Sequence, residues 1–202
     1  MGRTSDAREK ILASAQALLE SRGYAGMGVA DVCKAAGVVK GSFYYFFESK
    51  EALALAVVEQ QWTGQLAVWS EILVTKDGPL DRLHRLFEAT GNTLQAGQRS
   101  CGTVSGCLFG NLTLELSNQT EAIRLRLQEI FEAQVDLVHK VVAEAQQHGD
   151  AHVADTREAA RSIVAQLEGQ IMFVKLYNDL RRLDAMWANC LALLGARGEL
   201  AA

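Results

Sequence analysis

Apolar residues return every three or four positions along almost the whole chain. In the first such segment, Ile11, Leu12, Ala15, Leu18 and Leu19 fall on one side of a helix. This is the 3.6-residue period of an α-helix, and no segment alternates convincingly with the two-residue period of a strand. The pattern therefore predicts an all-α protein. About nine helices are expected, at roughly 8–21, 28–35, 39–45, 49–74, 79–98, 106–117, 119–147, 156–178 and 180–194.

The composition is typical of a globular protein. Of the 202 residues, 49% are hydrophobic and 22% are charged, and only one is proline, which leaves ample apolar surface to offset the entropy of folding. The four cysteines have neither a metal-binding spacing nor the pattern of a disulfide framework, so we expect reduced thiols in a cytoplasmic protein. The polar N-terminus does not resemble a signal peptide, and no apolar run of about 18 residues predicts a membrane span.

The charge is divided unevenly along the chain, whose net charge is −4. Residues 1–50 carry seven basic and five acidic side chains, a balance of +2, whereas residues 51–202 carry 13 basic and 19 acidic side chains, a balance of −6. A mildly basic head on an acidic body favours a small module that binds a polyanion, joined to a larger domain that does not. The expected domains are therefore a polyanion-binding head at 1–50 and a larger domain at 51–202.

The second and third predicted helices form a recognisable motif. Both are short, and Gly37, Val38 and Val39 are the whole link between them. Two short helices joined by a tight glycine-containing turn, behind a longer supporting helix, are typical of a helix-turn-helix, in which the later helix enters the major groove of DNA. Here the later helix would begin close to Lys40.

Five consecutive aromatic residues, Phe43 to Phe47, occupy that later helix. They sweep more than one helical turn, so they cannot all face one core. Phe43 and Phe47 are the natural core pair because they are four residues apart, while the phenols of Tyr44 and Tyr45 can donate hydrogen bonds to backbone phosphates. An aromatic mini-core beside solvated lysines is the alternative that residue-level reasoning leaves open.

The stretch from Gly23 to Leu53 resembles the N-terminal signature of the TetR repressors. It includes Gly-Val-Val-Lys-Gly-Ser-Phe-Tyr-Tyr-Phe-Phe-Glu-Ser-Lys-Glu-Ala-Leu at 37–53. The resemblance implies an all-helical homodimer that binds double-stranded operator DNA and releases it when a small-molecule effector occupies the larger domain. Two positions depart from the family pattern, Gly28 in place of Ser or Thr and Val39 in place of Ser. Carried over by position, the expected DNA-contacting residues are Lys40, Gly41, Ser42, Tyr44, Tyr45 and Lys50.

A stripe of polar residues crosses the otherwise apolar segment 106–117. Cys107, Asn111 and Glu115 follow one another at intervals of four, so each is offset from the last by about 40° on a helix. An unpaired buried polar group costs about 1–3 kcal/mol. The stripe therefore indicates either the wall of an effector pocket or a set of satisfied hydrogen bonds between helices.

The same segment resembles a subset of TetR regulators with a Gly-Cys-Leu…Asn…Glu-Leu motif, some of which sense electrophiles or oxidants through the cysteine. Lys175 stands in an apolar run, at a position that is also lysine in that subset. Our hypothesis is that Cys107 is the sensing thiol and Lys175 its activating neighbour, because a nearby ammonium group raises the thiolate fraction. An inert buried thiol is the alternative. Cys101, in a predicted loop, should be more exposed.

Further candidates lie on the long helices. Trp62 and Trp69 share one face of the fourth predicted helix and suit either an effector-pocket wall or the core. The last two helices each have a broad apolar face, which the resemblance assigns to a four-helix dimer interface, although packing within one subunit would give the same pattern. The candidate interface residues are Ile163, Leu167, Ile171, Met186, Trp187 and Leu191.

A helical enzyme and a protein-interaction module are the rival functions. His148 and His152, near Asp150 and Asp155, suggest a metal only weakly, because they fall in a predicted loop and lack a third ligand of defined spacing. No glycine-rich phosphate loop follows a strand, and a bare interaction module leaves the basic aromatic head unexplained. We therefore expect no catalytic residue, metal or cofactor.

Overall fold

The computed structural model describes residues 2–196, with side chains from residue 6 onward. The all-α prediction is confirmed, and the described residues contain no strand. No helix in this part of the chain is long and apolar enough to cross a membrane. Arg3, which entered the charge count, has its side chain outside the described part. The helices are α1 (Gly2–Arg22), α2 (Val29–Ala36), α3 (Lys40–Phe46), α4 (Lys50–Leu73), α5 (Pro79–Cys101), α6 (Leu108–Leu116), α7 (Glu121–His148), α8 (Thr156–Tyr177) and α9 (Met186–Leu193), with a 3-10 helix at Leu180–Leu183.

Most helices lie within about three residues of their predicted positions, but α1 begins at Gly2, earlier than predicted, and the segment predicted as one helix at 180–194 is divided. The Asp179 carboxylate accepts the N–H of Arg181 at 3.1 Å, and the Asp184 N–H bonds to the Arg181 carbonyl at 3.2 Å. Such side-chain and short-range bonds compete with the helical pattern, so the chain makes a 3-10 turn before α9 begins.

The described chain forms two compact units. The first comprises the chain up to Gly64 together with Leu108–Leu127, which includes α1, α2, α3, the first part of α4, and α6. Residue 50, the predicted domain boundary, is the first residue of α4, and the boundary itself stays a prediction. The core of this unit includes the fully buried side chains Ile11, Met27, Phe43, Leu53, Phe109 and Leu112.

The second unit comprises Gln65–Cys107 and the chain from Gln128 onward. One cluster of buried apolar side chains from α4, α5, α7, α8 and α9 forms its core. Arg82, only 5% exposed, donates from Nη1 to the Leu73 carbonyl at 2.8 Å and pairs with Glu144 at 2.6 Å. Its guanidinium holds the pKa of the Glu144 carboxyl below its usual value. Arg82 thus satisfies a carbonyl at the end of α4 while joining α5 to α7.

Candidate functional site

The link between α2 and α3 has the geometry that a helix-turn-helix needs. Gly37 ends α2 with φ 66°, its N–H reaches the Lys34 carbonyl, and the Val38 N–H reaches the Cys33 carbonyl at 3.0 Å. This pair of bonds is a Schellman motif, and its left-handed residue favours glycine because a Cβ is disfavoured there. The turn is therefore short, and α3 begins at Lys40.

The outer face of α3 presents the residues expected to meet DNA. Tyr45 is 75% exposed and Tyr44 is 56% exposed, while Lys40 and Gly41 are exposed and Ser42 is half-buried. Residues four apart on a helix are neighbours, so Lys40 lies beside Tyr44 and Gly41 beside Tyr45. The structure thus brings these five residues together on one short helix.

The inner face of α3 anchors it in the head. Phe43 is fully buried, and its ring centroid lies 6.0 Å from that of Phe47 and 5.1 Å from that of Tyr44. The expected division of the aromatic run between core and surface is confirmed. Phe43 and Phe47 are buried, as the aromatic mini-core alternative requires, but Tyr44 and Tyr45 are exposed and do not belong to such a core.

Lys50 differs from the other predicted DNA contacts. Its half-buried ammonium donates to the Tyr24 carbonyl at 2.8 Å and lies 3.9 Å from the centroid of the Tyr24 ring. An ammonium group has three donors, so these contacts leave capacity for a phosphate. The contacts themselves hold the turn between α1 and α2.

The three residues of the polar stripe at 107–115 do not share one environment. Cys107 directly precedes α6 and belongs to the second unit, whereas Asn111 and Glu115 lie on α6 in the first. The Glu115 carboxylate accepts the N–H groups of Tyr24 and Ala25 at 2.8 and 2.7 Å. Glu115 therefore forms hydrogen bonds between two elements of the fold, which is the second of the two alternatives for the stripe. Asn111 is half-buried.

Cys107 has a neighbour that the sequence did not indicate. Its half-buried thiol packs against the core of the second unit and donates a hydrogen bond to the carboxyl group of Glu168 on α8. Burial raises the pKa of Glu168, and the bond from Cys107 acts in the opposite direction. Lys175 lies seven residues farther along α8 and is exposed. Glu168 was not predicted, because a single acidic residue in an amphipathic helix has no neighbouring sequence pattern that marks it as the partner of a distant thiol.

The other cysteines differ in accessibility. Cys33 and Cys190 are buried, and burial raises the pKa of the Cys190 thiol to about 12. A thiol with such a pKa stays protonated and unreactive near neutral pH. Cys101 is exposed, as expected, although it ends α5 instead of lying in a loop.

Both tryptophans of α4 are core residues. Trp62 is buried with its ring edge-to-face against Phe109 at 6.3 Å, and Trp69 is buried in the core of the second unit. The core-packing alternative therefore describes both side chains in this structure, and a role in effector binding stays a prediction.

The residues predicted for the dimer interface lie mostly inside their own subunit in this structure. Ile163, Leu167, Ile171, Met186 and Leu191 are buried within their own subunit, and Trp187 is half-buried against His84 and Phe87. Packing within one subunit, the alternative stated above, accounts for these side chains, because a helical period identifies an apolar face without identifying what covers it. The large apolar side chains that α8 exposes are Met172, Phe173, Leu176 and Tyr177.

The histidine cluster does not assemble a metal site. His148 ends α7 instead of lying in a loop, and its Nδ1 is 4.0 Å from the Asp150 carboxylate at an exposed position. In the described part of the chain, no three His, Cys, Asp or Glu side chains come together in a metal-binding arrangement.

Comparison with known proteins agrees with this architecture at both ends of the chain. Residues 11–57 match the family described as "Bacterial regulatory proteins, tetR family". Residues 79–190 match the "Tetracyclin repressor-like, C-terminal domain". The chain belongs to the TetR family. It is a helix-turn-helix transcriptional regulator, and ligand-responsive repression by homodimers is typical of this family.

Individual TetR-family relatives resemble between 59% and 96% of the chain. The "HTH-type transcriptional repressor DhaR" of a Mycobacterium species is 34% identical, with 91% of this chain and 89% of that protein covered. The "HTH-type transcriptional repressor NemR" of Escherichia coli is 38% identical over 59% of this chain and 58% of that protein. The crystal structure of the E. coli NemR reduced form superposes with a TM-score of 0.84 at 26% identity, covering 96% of this chain and 99% of that one.

Proposed function

We propose that this TetR-family regulator is a cytoplasmic repressor that binds a palindromic operator as a homodimer and leaves it when a small electrophile reacts in the larger domain. The exposed face of α3 carries the DNA-binding part of this proposal, because Lys40, Gly41, Tyr44 and Tyr45 are all exposed on a short helix that follows the Gly37 turn. In a helix-turn-helix this is the helix that enters the major groove.

Gly41 supports a close approach of DNA to α3. A Cβ at this position would meet no atom of the chain within 4 Å, so packing inside the head does not require a glycine. Glycine within a helix costs about 1 kcal/mol relative to alanine. A residue that weakens the helix without an internal reason is consistent with a DNA backbone that comes close to α3.

A gel-shift titration with the DNA upstream of the protein's own gene tests the proposal. We expect retardation at lower protein concentration than with unrelated DNA of equal length, and affinity that falls steeply as salt rises, because Lys and Arg contacts to phosphates release counterions. A helical enzyme or a protein-interaction module would show no preference for the upstream DNA, and that result would reject the repressor.

The dimer surface that we propose is the exposed apolar end of α8. The Phe173 and Tyr177 rings are stacked with centroids 6.4 Å apart, and Leu176 between them along the chain is 69% exposed. Adjacent exposed apolar side chains of this size are typical of interaction sites. In a twofold dimer the same patch on two copies would meet.

Leu176→Glu should weaken the dimer about tenfold, because a central apolar contact of an interface contributes more than about 1 kcal/mol and a buried carboxylate opposes association. Sedimentation equilibrium over a range of protein concentrations measures the change. Leu125→Glu is the matched control, since Leu125 is also an exposed leucine but lies on α7. Equal dissociation of the two variants would contradict the assignment.

Cys107 is the sensing thiol in this proposal, and Glu168 takes the thiol proton. When the sulfur attacks the β-carbon of an α,β-unsaturated carbonyl compound, a C–S bond forms, the S–H proton passes to the carboxylate, and the resulting enolate is protonated by solvent. Burial raises the pKa of Glu168, which makes its carboxylate a better proton acceptor than an ordinary one. Lys175 is the activating neighbour of the thiol in the same proposal, because an ammonium group raises the thiolate fraction.

N-Ethylmaleimide should modify Cys101, which is exposed, and Cys107, which is half-buried, but not the buried Cys33 and Cys190. Only the adduct on Cys107 should release the protein from its operator. Mass spectrometry of the digested protein locates the adduct, and a gel shift follows DNA release. Cys101→Ser should be released like the wild type, whereas Cys107→Ser should stay bound.

Glu168→Gln tests the proton transfer separately. General-base catalysis contributes about 10²-fold or more, so alkylation of Cys107 should slow by at least about tenfold in this variant. Release of DNA while Cys107 remains unmodified would refute the sensing role.

A further inference from the structure

The turn between α1 and α2 is bound by two charged side chains that are distant in sequence. Glu115 accepts the Tyr24 N–H at Oε2 and the Ala25 N–H at Oε1, at 2.8 and 2.7 Å. Lys50 donates to the carbonyl of the same tyrosine at 2.8 Å. Both polar backbone groups of Tyr24 are therefore bonded to charged groups, and hydrogen bonds of this kind are stronger than those between neutral groups.

The backbone at Gly23 is shaped to admit the Glu115 carboxylate. Gly23 has φ +71°, and a Cβ at this residue would lie 2.8 Å from Glu115 Oε2. A side chain there would be disfavoured by the backbone conformation and would also displace the carboxylate. The close approach of the Glu115 carboxylate to the backbone therefore depends on glycine at position 23.

Glu115 lies in the last turn of α6, a helix of nine residues that begins directly after Cys107. A short α-helix is stiff and rises about 1.5 Å per residue, so a shift at its first residue moves its last turn as well. The Tyr24–Ala25 turn, which Glu115 holds, leads through Gly28 into α2 and then into α3. A continuous series of bonded elements therefore connects the start of α6 to the DNA-binding helix.

We propose that Glu115 is the residue that couples α6 to the DNA-binding head, by holding the α1–α2 turn in the arrangement that operator binding requires. The inference rests on the proposed repressor function, since it assigns a route for the regulation of DNA binding. Coupling between two sites is reciprocal. Operator DNA must therefore stabilise α6 when the carboxylate is present, and must stabilise it less when the carboxylate is absent.

Hydrogen exchange measured by mass spectrometry on the full-length protein tests this coupling in Glu115→Gln. Without DNA, the amides of Tyr24 and Ala25 should exchange faster than in the wild type, because the amide side chain replaces a two-oxygen acceptor by one oxygen. With saturating operator DNA, exchange in α6 should slow in the wild type and change much less in the variant. Operator affinity should fall about fivefold to tenfold, within the usual range of coupling effects.

Glu48→Gln is the matched control, because Glu48 is an exposed glutamate of the same head and its replacement removes the same charge. It should leave exchange at Tyr24, Ala25 and α6 as in the wild type. Equal DNA-induced protection of α6 in the wild type and Glu115→Gln would overturn the coupling. If Glu115→Gln does not fold, the same comparison is made with Glu115→Asp, which keeps the charge on a shorter side chain.

Failure of the underlying function gives a different result. If the wild-type protein binds no upstream DNA, the repressor proposal falls, and the coupling falls with it. The DNA-free exchange at Tyr24 and Ala25 then still measures whether Glu115 holds the turn. If the wild type binds DNA but exchange at these amides is the same in Glu115→Gln, the coupling alone is refuted.

Discussion

Simultaneous replacement of Lys40 and Tyr45 by alanine should lower the affinity for operator DNA by at least about 100-fold. A phosphate or base contact is worth about 1–3 kcal/mol, and 1.4 kcal/mol corresponds to a factor of ten. Both side chains are exposed on α3, so neither contributes to the core of the head. The free energy of unfolding should therefore change by less than about 0.5 kcal/mol.

Fluorescence anisotropy with labelled operator over a range of salt concentrations measures this loss of affinity. It also separates the contribution of Lys40 from that of Tyr45. Removal of Lys40 should reduce the salt slope of log affinity by about one, as expected for one phosphate contact. Tyr45→Phe separates the hydroxyl from the ring. Lys140→Ala is the control, because Lys140 is an exposed lysine of α7. An unchanged affinity in the double variant would exclude α3 as the DNA-binding helix.

Phe43→Ala, on the same helix, should instead destabilise the head by about 3–5 kcal/mol, the usual cost of removing a buried aromatic ring. Phe43 is fully buried and contacts the rings of Tyr44 and Phe47. The head is small, so few other apolar contacts can compensate for the cavity. Operator binding is then lost because α3 is no longer held in place, although Phe43 itself does not face DNA.

Urea denaturation followed by circular dichroism measures this effect. Phe43→Leu, which fills much of the cavity, should recover more than half of the loss. Operator binding by Phe43→Ala should return at low temperature or in a stabilising osmolyte, whereas binding by the Lys40 and Tyr45 double variant should not. A loss of stability below about 1 kcal/mol in Phe43→Ala would contradict the role of this ring as an anchor.

The helices and the helix-turn-helix motif of α2 and α3 follow from the local sequence pattern. A 3.6-residue apolar period selects helices over strands, and the glycine between two short helices predicts the turn that Gly37 makes. Five consecutive aromatic residues exceed one helical face, which is why the burial of Phe43 and the exposure of Tyr45 were both predictable. Each of these features depends on residues that are close in sequence.

Only the folded chain shows which elements cover each face. The bond between Glu115 and Tyr24 joins residues 91 positions apart. The bond between Cys107, just before α6, and Glu168 on α8 likewise joins residues that no local spacing relates. The same reason explains Ile163 and Leu167, which a helical period marks as apolar but which lie in the core of one subunit. The helical period predicts which side chains need an apolar or a polar partner. Packing across the whole chain determines which residue that partner is.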